Sequence, residues 1–181
     1  MSLDLDQAAV EDLRNQIEQW ATAGNTQAVL QNANLYRSLA GEDPKVLKAV
    51  AAVFLQSRSY QDLPSAVVDL LRAGGSFSFV LNHHHTGLAL LQTHPARLTF
   101  ASSGLRYTPE GNCNTKEFAV PLATVRSETR ATPDGYHFLT FSLPSPSGDK
   151  KILTMNFIDD NSGLAAAIVN ISTRANRLGA R

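Results

Sequence analysis

The chain has 181 residues, enough for one domain or two small ones, and its 43% hydrophobic and 18% charged residues argue against global disorder. Lys plus Arg number 16 and Asp plus Glu 16, so the net charge is zero, which disfavours a nucleic-acid coat or polyanion binder. A single cysteine, Cys113, excludes an internal disulfide and a cysteine-rich zinc site.

No apolar run approaches the roughly 20 residues of a membrane span. Met1 to Gln7 is acidic and lacks the basic and apolar parts of a signal peptide, so a cytoplasmic protein is expected. Charge and texture both change at Gly74-Gly75. Residues 1–75 carry six Lys/Arg and nine Asp/Glu, whereas residues 76–181 carry ten and seven. Before the switch Ala, Leu and Gln dominate at helical spacing. After it, β-branched and aromatic residues alternate with polar ones.

The first half predicts four helices. Asp6 is positioned to cap a helix running to about Ala23, with Val10, Leu13, Ile17, Trp20 and Ala21 on one stripe. Gly24-Asn25 ends it, and Asn25 or Thr26 caps the next, which runs to about Ala40. Its apolar positions are Val29, Leu30, Ala33, Tyr36 and Leu39 or Leu35. Gly41 stops it. Asp43-Pro44 is a start signal for a third helix, with Val46, Leu47, Val50, Val53 and Phe54 as its apolar face. A break at Ser57–Ser59 precedes a fourth helix from about Tyr60 to Ala73, with Pro64 near its first turn.

The second half predicts six or seven antiparallel strands, counting a piece at Leu88–Gln92. Phe77, Phe79 and Leu81 alternate with Ser78, Val80 and Asn82. Arg97 to Ala101 alternates, then turns at Ser103-Gly104 into Leu105-Arg106-Tyr107. Phe118 to Leu122 alternates, with Pro121 marking an edge or bend. Thr124 to Arg130 is a further strand. Pro133-Asp134-Gly135 is a turn, Tyr136 to Leu143 a strand, and Lys151 to Ile158 the last. A C-terminal helix follows, with Leu164, Ala167, Ile168, Ile171, Ala175 and Leu178 on one face. Asp159 and Asp160 at its start and Arg174 and Arg177 near its end suit the helix dipole.

Strands followed by one amphipathic helix resemble the pleckstrin-homology-like superfold. Leu98 to Tyr107 resembles the hairpin of bacterial PH-like and GRAM-like domains, and Phe118-Ala119-Val120-Pro121-Leu122-Ala123-Thr124-Val125 resembles the segment that follows it there. The likeness covers about residues 76–178. It implies an antiparallel barrel or sandwich capped by the C-terminal helix. The helical half is similar to degenerate tetratricopeptide repeats, which are about 34 residues long. Leu13 and Leu47, and Trp20 and Phe54, recur at that spacing, although a four-helix unit without repeat ancestry fits equally well. The expected organisation is therefore α+β: a helical segment over 1–75 made of antiparallel hairpins, and a PH-like domain over 76–181.

His83-His84-His85 is the most conspicuous chemical feature. Histidine is the commonest metal ligand, and His83 and His85 would share a strand face, with His94 or His137 as a third ligand for a metal-dependent enzyme. No carboxylate completes the pattern; Leu88–Gln92 occupies the place. The bland alternative is a pair of inward hydrogen-bonded rings. Cys113 lies in a polar loop with Lys116 as the nearby cation, the setting of a passive thiol. No Gly-x-Ser-x-Gly elbow and no phosphate loop occurs. Glu128, Asp134 and Asp149 read as solvated charges. Phosphoinositide-binding PH-like domains place cations between their first two strands, and Asn82–Pro95 contains none. Arg97, Arg106, Lys116, Arg126 and Arg130 are scattered, and no basic-aromatic stripe suits nucleic acid. The expectation is a non-catalytic adaptor for a protein or peptide partner, without a cofactor. A lipid-surface adaptor is the second reading, and a metal enzyme using the histidines the third.

Overall fold

The computed structural model describes residues 7–84, 93–111, 113, 115–131, 137–144, 152–159 and 162–178. It is an α+β protein with five α-helices, the last of them C-terminal, and seven antiparallel strands among these residues. Internal contacts divide the chain into two compact units, Met1–Gly75 and Ser76–Arg181. No helix among the described residues is long and apolar enough to cross a membrane.

The first unit holds α1 (Gln7–Thr22), α2 (Thr26–Ala40), α3 (Pro44–Gln56) and α4 (Leu63–Arg72). Local chemistry sets their starts. Asn25 caps α2 by accepting from the Ala28 amide, and Asp43 caps α3 by accepting from the Lys45 amide, ahead of Pro44. The expected cap Asp6 lies outside the described residues. Helix α4 starts at Leu63 rather than Tyr60, because Pro64 has no N–H to donate and is tolerated only in a first turn. Ile17 and Ala21 of α1, Val29, Ala33 and Tyr36 of α2, and Val46, Ala49 and Val53 of α3 form one core. Leu35 and Leu39, offered as alternatives for the buried stripe of α2, are both exposed, at 48% and 37%. They lie roughly 80–120° around the helix from the buried row of Val29, Ala33 and Tyr36.

The turns after α1 and α3 are copies of each other. The Asn25 amide donates to the Trp20 carbonyl and Gly24 to Ala21; the Ser59 amide donates to Phe54 and Arg58 to Leu55. Thr26 then donates to Gly24, as Tyr60 does to Arg58. Gly24 and Arg58 both take positive φ, 71° and 57°. Every pair is offset by the same step that relates Trp20 to Phe54.

The second unit holds β1 (Ser76–His84), β2 (Thr93–Ala101), β3 (Gly104–Pro109), β4 (Phe118–Val120), β5 (Arg126–Ala131), β6 (His137–Pro144), β7 (Ile152–Asp159) and α5 (Ser162–Asn176). Strand order is β4-β3-β2-β1-β7-β6-β5. Two meanders are joined where β1 meets β7 over three pairs: Asn82 with Ile158, His83 with Phe157, and His84 with Asn156. Gly104 turns β2 into β3 with φ 152°, and a Cβ there would stand 2.4 Å from the Val120 carbonyl oxygen, so only glycine lets β4 approach. Pro121 ends β4 and leads into a 3-10 turn over Leu122–Thr124. The piece at Leu88–Gln92 and the turn at Pro133–Gly135 lie outside the described residues.

This sheet is curled. The ring of Phe100 on β2 lies 6.5 Å from that of Phe141 on β6. Those strands are three places apart, roughly 14 Å in a flat sheet at ~4.8 Å per strand. Phe77, Phe79, Phe100, Phe141 and Phe157 continue edge to edge or tilted along the inner face, with centroids 5.1 to 6.5 Å apart. Helix α5 packs on β5, β6, β7 and the 3-10 turn. It buries Ala165, Ala167, Ile168, Ile171 and Ala175, and the Asn176 side-chain amide donates to the Val125 carbonyl at 2.9 Å. The ladder itself is open among the described residues: β4 and β5 are its ends, and no pairing there joins them.

Candidate functional site

The alternation of β1 decides what the histidines can do. Phe77, Phe79, Leu81 and His83 face inward and are buried, while Val80 and Asn82 face out. His83 is 5% exposed, and its ring lies 5.4 Å from both Tyr107 and Phe157. Its Nδ1 shares a hydrogen bond of 2.9 Å with the Tyr107 hydroxyl. Cys113 completes the cluster. Its Sγ is 3.5 Å from the Tyr107 Oη and 3.8 Å from His83 Nδ1, and it accepts from the Thr115 amide at 3.4 Å.

Burial pushes the Tyr107 phenol far above its ordinary value, and the neighbouring thiol adds to the shift. The phenol therefore stays neutral, a hydrogen-bonding group and not a base. Tyr107 also stacks on Phe118, at 5.2 Å. These three polar groups satisfy one another inside an aromatic wall, as a buried polar network must.

His94 stands directly across the ladder from His83. Even so, no three His, Cys, Asp or Glu side chains converge among the described residues. His84 takes the other face, beside Phe138 at 5.5 Å, and its buried Nδ1 has no hydrogen-bond partner among the described residues. His137 pairs with Asp159 along the β6–β7 ladder, and His85 lies outside the described residues. The fold thus brings His83 together with Tyr107 and Cys113 rather than with His94 as a ligand set. Cys113 is correspondingly not a free loop thiol. Nothing in its neighbourhood in the sequence points to His83, which lies 30 positions away.

The scattered cations of the sheet have partners. Arg97 pairs with Glu110, Arg106 with Glu117 at 3.7 Å, and Arg130 with Glu128 at 3.0 Å, all at least one-third exposed. They form no convergent phosphate site.

A second feature lies in the helical unit, where no sequence motif marks it. Helices α2 and α4 wall a trough of about 270 Å³ whose floor is α3. Val46, Leu47, Val50 and Phe54 supply the floor; Leu47, Val50 and Phe54 are only half-buried, although their spacing marks them as core. Asp62, Ser65, Ala66 and Asp69 line one wall at the steps of a single helix face, and Ala33, Asn34 and Arg37 line the other. Glu42 and Asp43 close one end.

No protein-family model matches the chain, and no curated protein is similar to it.

The trough is therefore read from its own chemistry. Four carboxylates, from Glu42, Asp43, Asp62 and Asp69, border it against one cation, Arg37. Arg37 is already paired with Glu42. Asp43 is engaged by the Tyr36 hydroxyl at 3.1 Å and by Arg14 at 3.6 Å, and its carboxylate helps to raise the Tyr36 phenol, after burial. Asp69 meets Arg72 at 2.9 Å on the solvent side. The signal available in the sequence was the acidic balance of residues 1–75, which the trough gathers along its rim.

Proposed function

We propose that the chain is a non-catalytic protein-interaction module, a tetratricopeptide-like segment of helical hairpins followed by a PH-like domain, and that the trough of the helical unit is where its partner binds. The fold part of this reading is supported by the strand order, by the curl that brings Phe100 to Phe141, and by α5 packed on the later strands. The duplicated turn at Gly24–Thr26 and Arg58–Tyr60 supports the repeat.

The observation that carries the functional part is the half-covered apolar stripe of α3. Leu47, Val50 and Phe54 together present apolar surface that a partner would remove from water, at about 25 cal/mol per Å². At about 270 Å³ the trough is just below the range of roughly 300–1,000 Å³ typical of small-molecule pockets, but holds one or two apolar side chains of a peptide. Neither step needs a reacting group. A phosphoinositide-binding role would need converging cations, and Arg97, Arg106 and Arg130 are each spent on a glutamate.

The test uses two surface substitutions. A partner recovered from the native cell and then purified should bind the wild-type chain and Leu35→Asp alike, since Leu35 lies on the far side of α2. Asn34→Trp, which fills the trough from an exposed position, should weaken binding at least tenfold. Equal binding by all three chains, or a partner lost only with Leu35→Asp, refutes the site.

A further inference from the structure

We infer that the occupant of the trough is a basic amphipathic α-helix of a partner protein. This rests on the trough being the partner site, and adds what the partner must look like.

Two observations carry it. The first is the wall chemistry. The floor and the two long walls are α-helical, with only the end at Gly41, Glu42 and Asp43 non-helical, so most of their main-chain donors and acceptors are used internally. An extended peptide entering such a trough finds no sheet edge and leaves its own amides and carbonyls without main-chain partners. A helix brings its backbone bonds with it and needs only side-chain contact. The floor stripe of Leu47, Val50 and Phe54 follows steps of three and four, which is the ridge an opposing helix packs against.

The second is charge. The rim carries four carboxylates, of which Glu42, Asp43 and Asp69 are held by Arg37, Arg14 and Arg72, while Asp62 has no ion pair among the described residues. Asp62 and Asp69 sit at the two ends of one wall, seven positions apart in the chain and therefore two turns apart along α4. Asp62 makes no side-chain cap bond to its own helix, so its carboxylate is open to a partner. A ligand helix with apolar residues at i and i+4 on one face and Lys or Arg flanking them would set its cations beside Asp62 and Asp69. An acidic helix would set its charges against the unpaired Asp62 and against carboxylates already held by Arg37, Arg14 and Arg72, gaining no cation of its own, and that selects against it.

The probe is a random 16-residue peptide display library selected on the full chain, with clones that also bind Asn34→Trp discarded. The remaining, trough-dependent clones should be enriched in Lys and Arg next to an apolar pair spaced at i, i+3 or i, i+4. Synthetic versions should gain helical circular dichroism on binding. Asp62→Asn/Asp69→Asn should weaken them about fivefold, as should raising salt, the range expected for two exposed ion pairs. Asn at position 62 forfeits no cap bond, and an unchanged thermal midpoint confirms that the double variant is folded. Trough-dependent clones that are neutral or acidic, that bind extended, or that ignore the double variant overturn the inference while leaving the trough as partner site. A selection yielding no trough-dependent clone overturns both.

Discussion

Arg58 occupies a left-handed conformation that Gly24 occupies in the turn after α1, and exchanging the two residue types tests whether the two turns are equivalent. A non-glycine residue at positive φ costs about 1–2 kcal/mol, whereas glycine adopts it freely but loses roughly 0.4–1 kcal/mol more chain entropy on folding. The difference makes Arg58→Gly stabilising by about 0.5–1 kcal/mol. Arg58 is exposed and makes no ion pair among the described residues, so little opposes this gain. Gly24→Ala should destabilise by a similar amount. A Cβ at Gly24 would meet only the Gln56 Oε1, at 3.8 Å, an ordinary contact, so its φ of 71° carries the whole cost. Trp20, the single tryptophan, is half-buried against the helical core and reports this unit within the intact chain. Urea titration followed by its fluorescence should move the midpoint up for Arg58→Gly and down for Gly24→Ala, with the slope unchanged. A fall in midpoint for Arg58→Gly would refute the argument, because it would mean that the arginine side chain contributes more than its backbone strain removes.

Two further outcomes follow from the second unit. Ile171 is fully buried at the centre of α5, so Ile171→Ala should cost about 2–5 kcal/mol, visible as a lower calorimetric midpoint; an unchanged midpoint would detach α5 from the core. Tyr107 has a raised pKa in the folded chain, so its contribution is intact below the ordinary phenol value of 10.0 and is lost as pH climbs past it, where the unfolded chain releases the proton first. Stability should therefore fall more steeply above about pH 10 in the wild type than in Tyr107→Phe, and equal slopes would contradict the burial of that hydroxyl.

Features set by near neighbours in the chain were legible in the sequence. Asn25 and Asp43 cap helices because a short polar side chain reaches an amide two or three residues on, and Gly24 ends α1 through its own φ. The inward parity of His83 followed from Phe77, Phe79 and Leu81 because a strand alternates strictly. What depended on distant partners was not legible. The spacing of Leu47, Val50 and Phe54 says that they share a face, but not whether another element covers it. Leu35 and Leu39 could be separated from the core row only by knowing which side of α2 meets α1 and α3. The cluster of Cys113 with Tyr107 and His83 depends on the β1–β2–β3 registers and on where the loop after β3 folds back, neither of which leaves a local mark.

The short β1–β7 seam also constrains the order in which the sheet can assemble during synthesis. Strands β1 to β4 pair with their sequence neighbours, and so do β5 to β7, so both meanders close small loops. The seam instead joins Asn82 to Ile158 and must wait for nearly the whole unit to be made. Until then the nascent chain displays β1 as a bare edge, with His83 and His84 at its open end and the phenylalanine-rich inner face uncovered. A ribosome stalled before Ile152 would hold out a half-sheet able to pair with a neighbouring nascent copy. The later strands and α5 thus act as a late safeguard against self-association as well as completing the core.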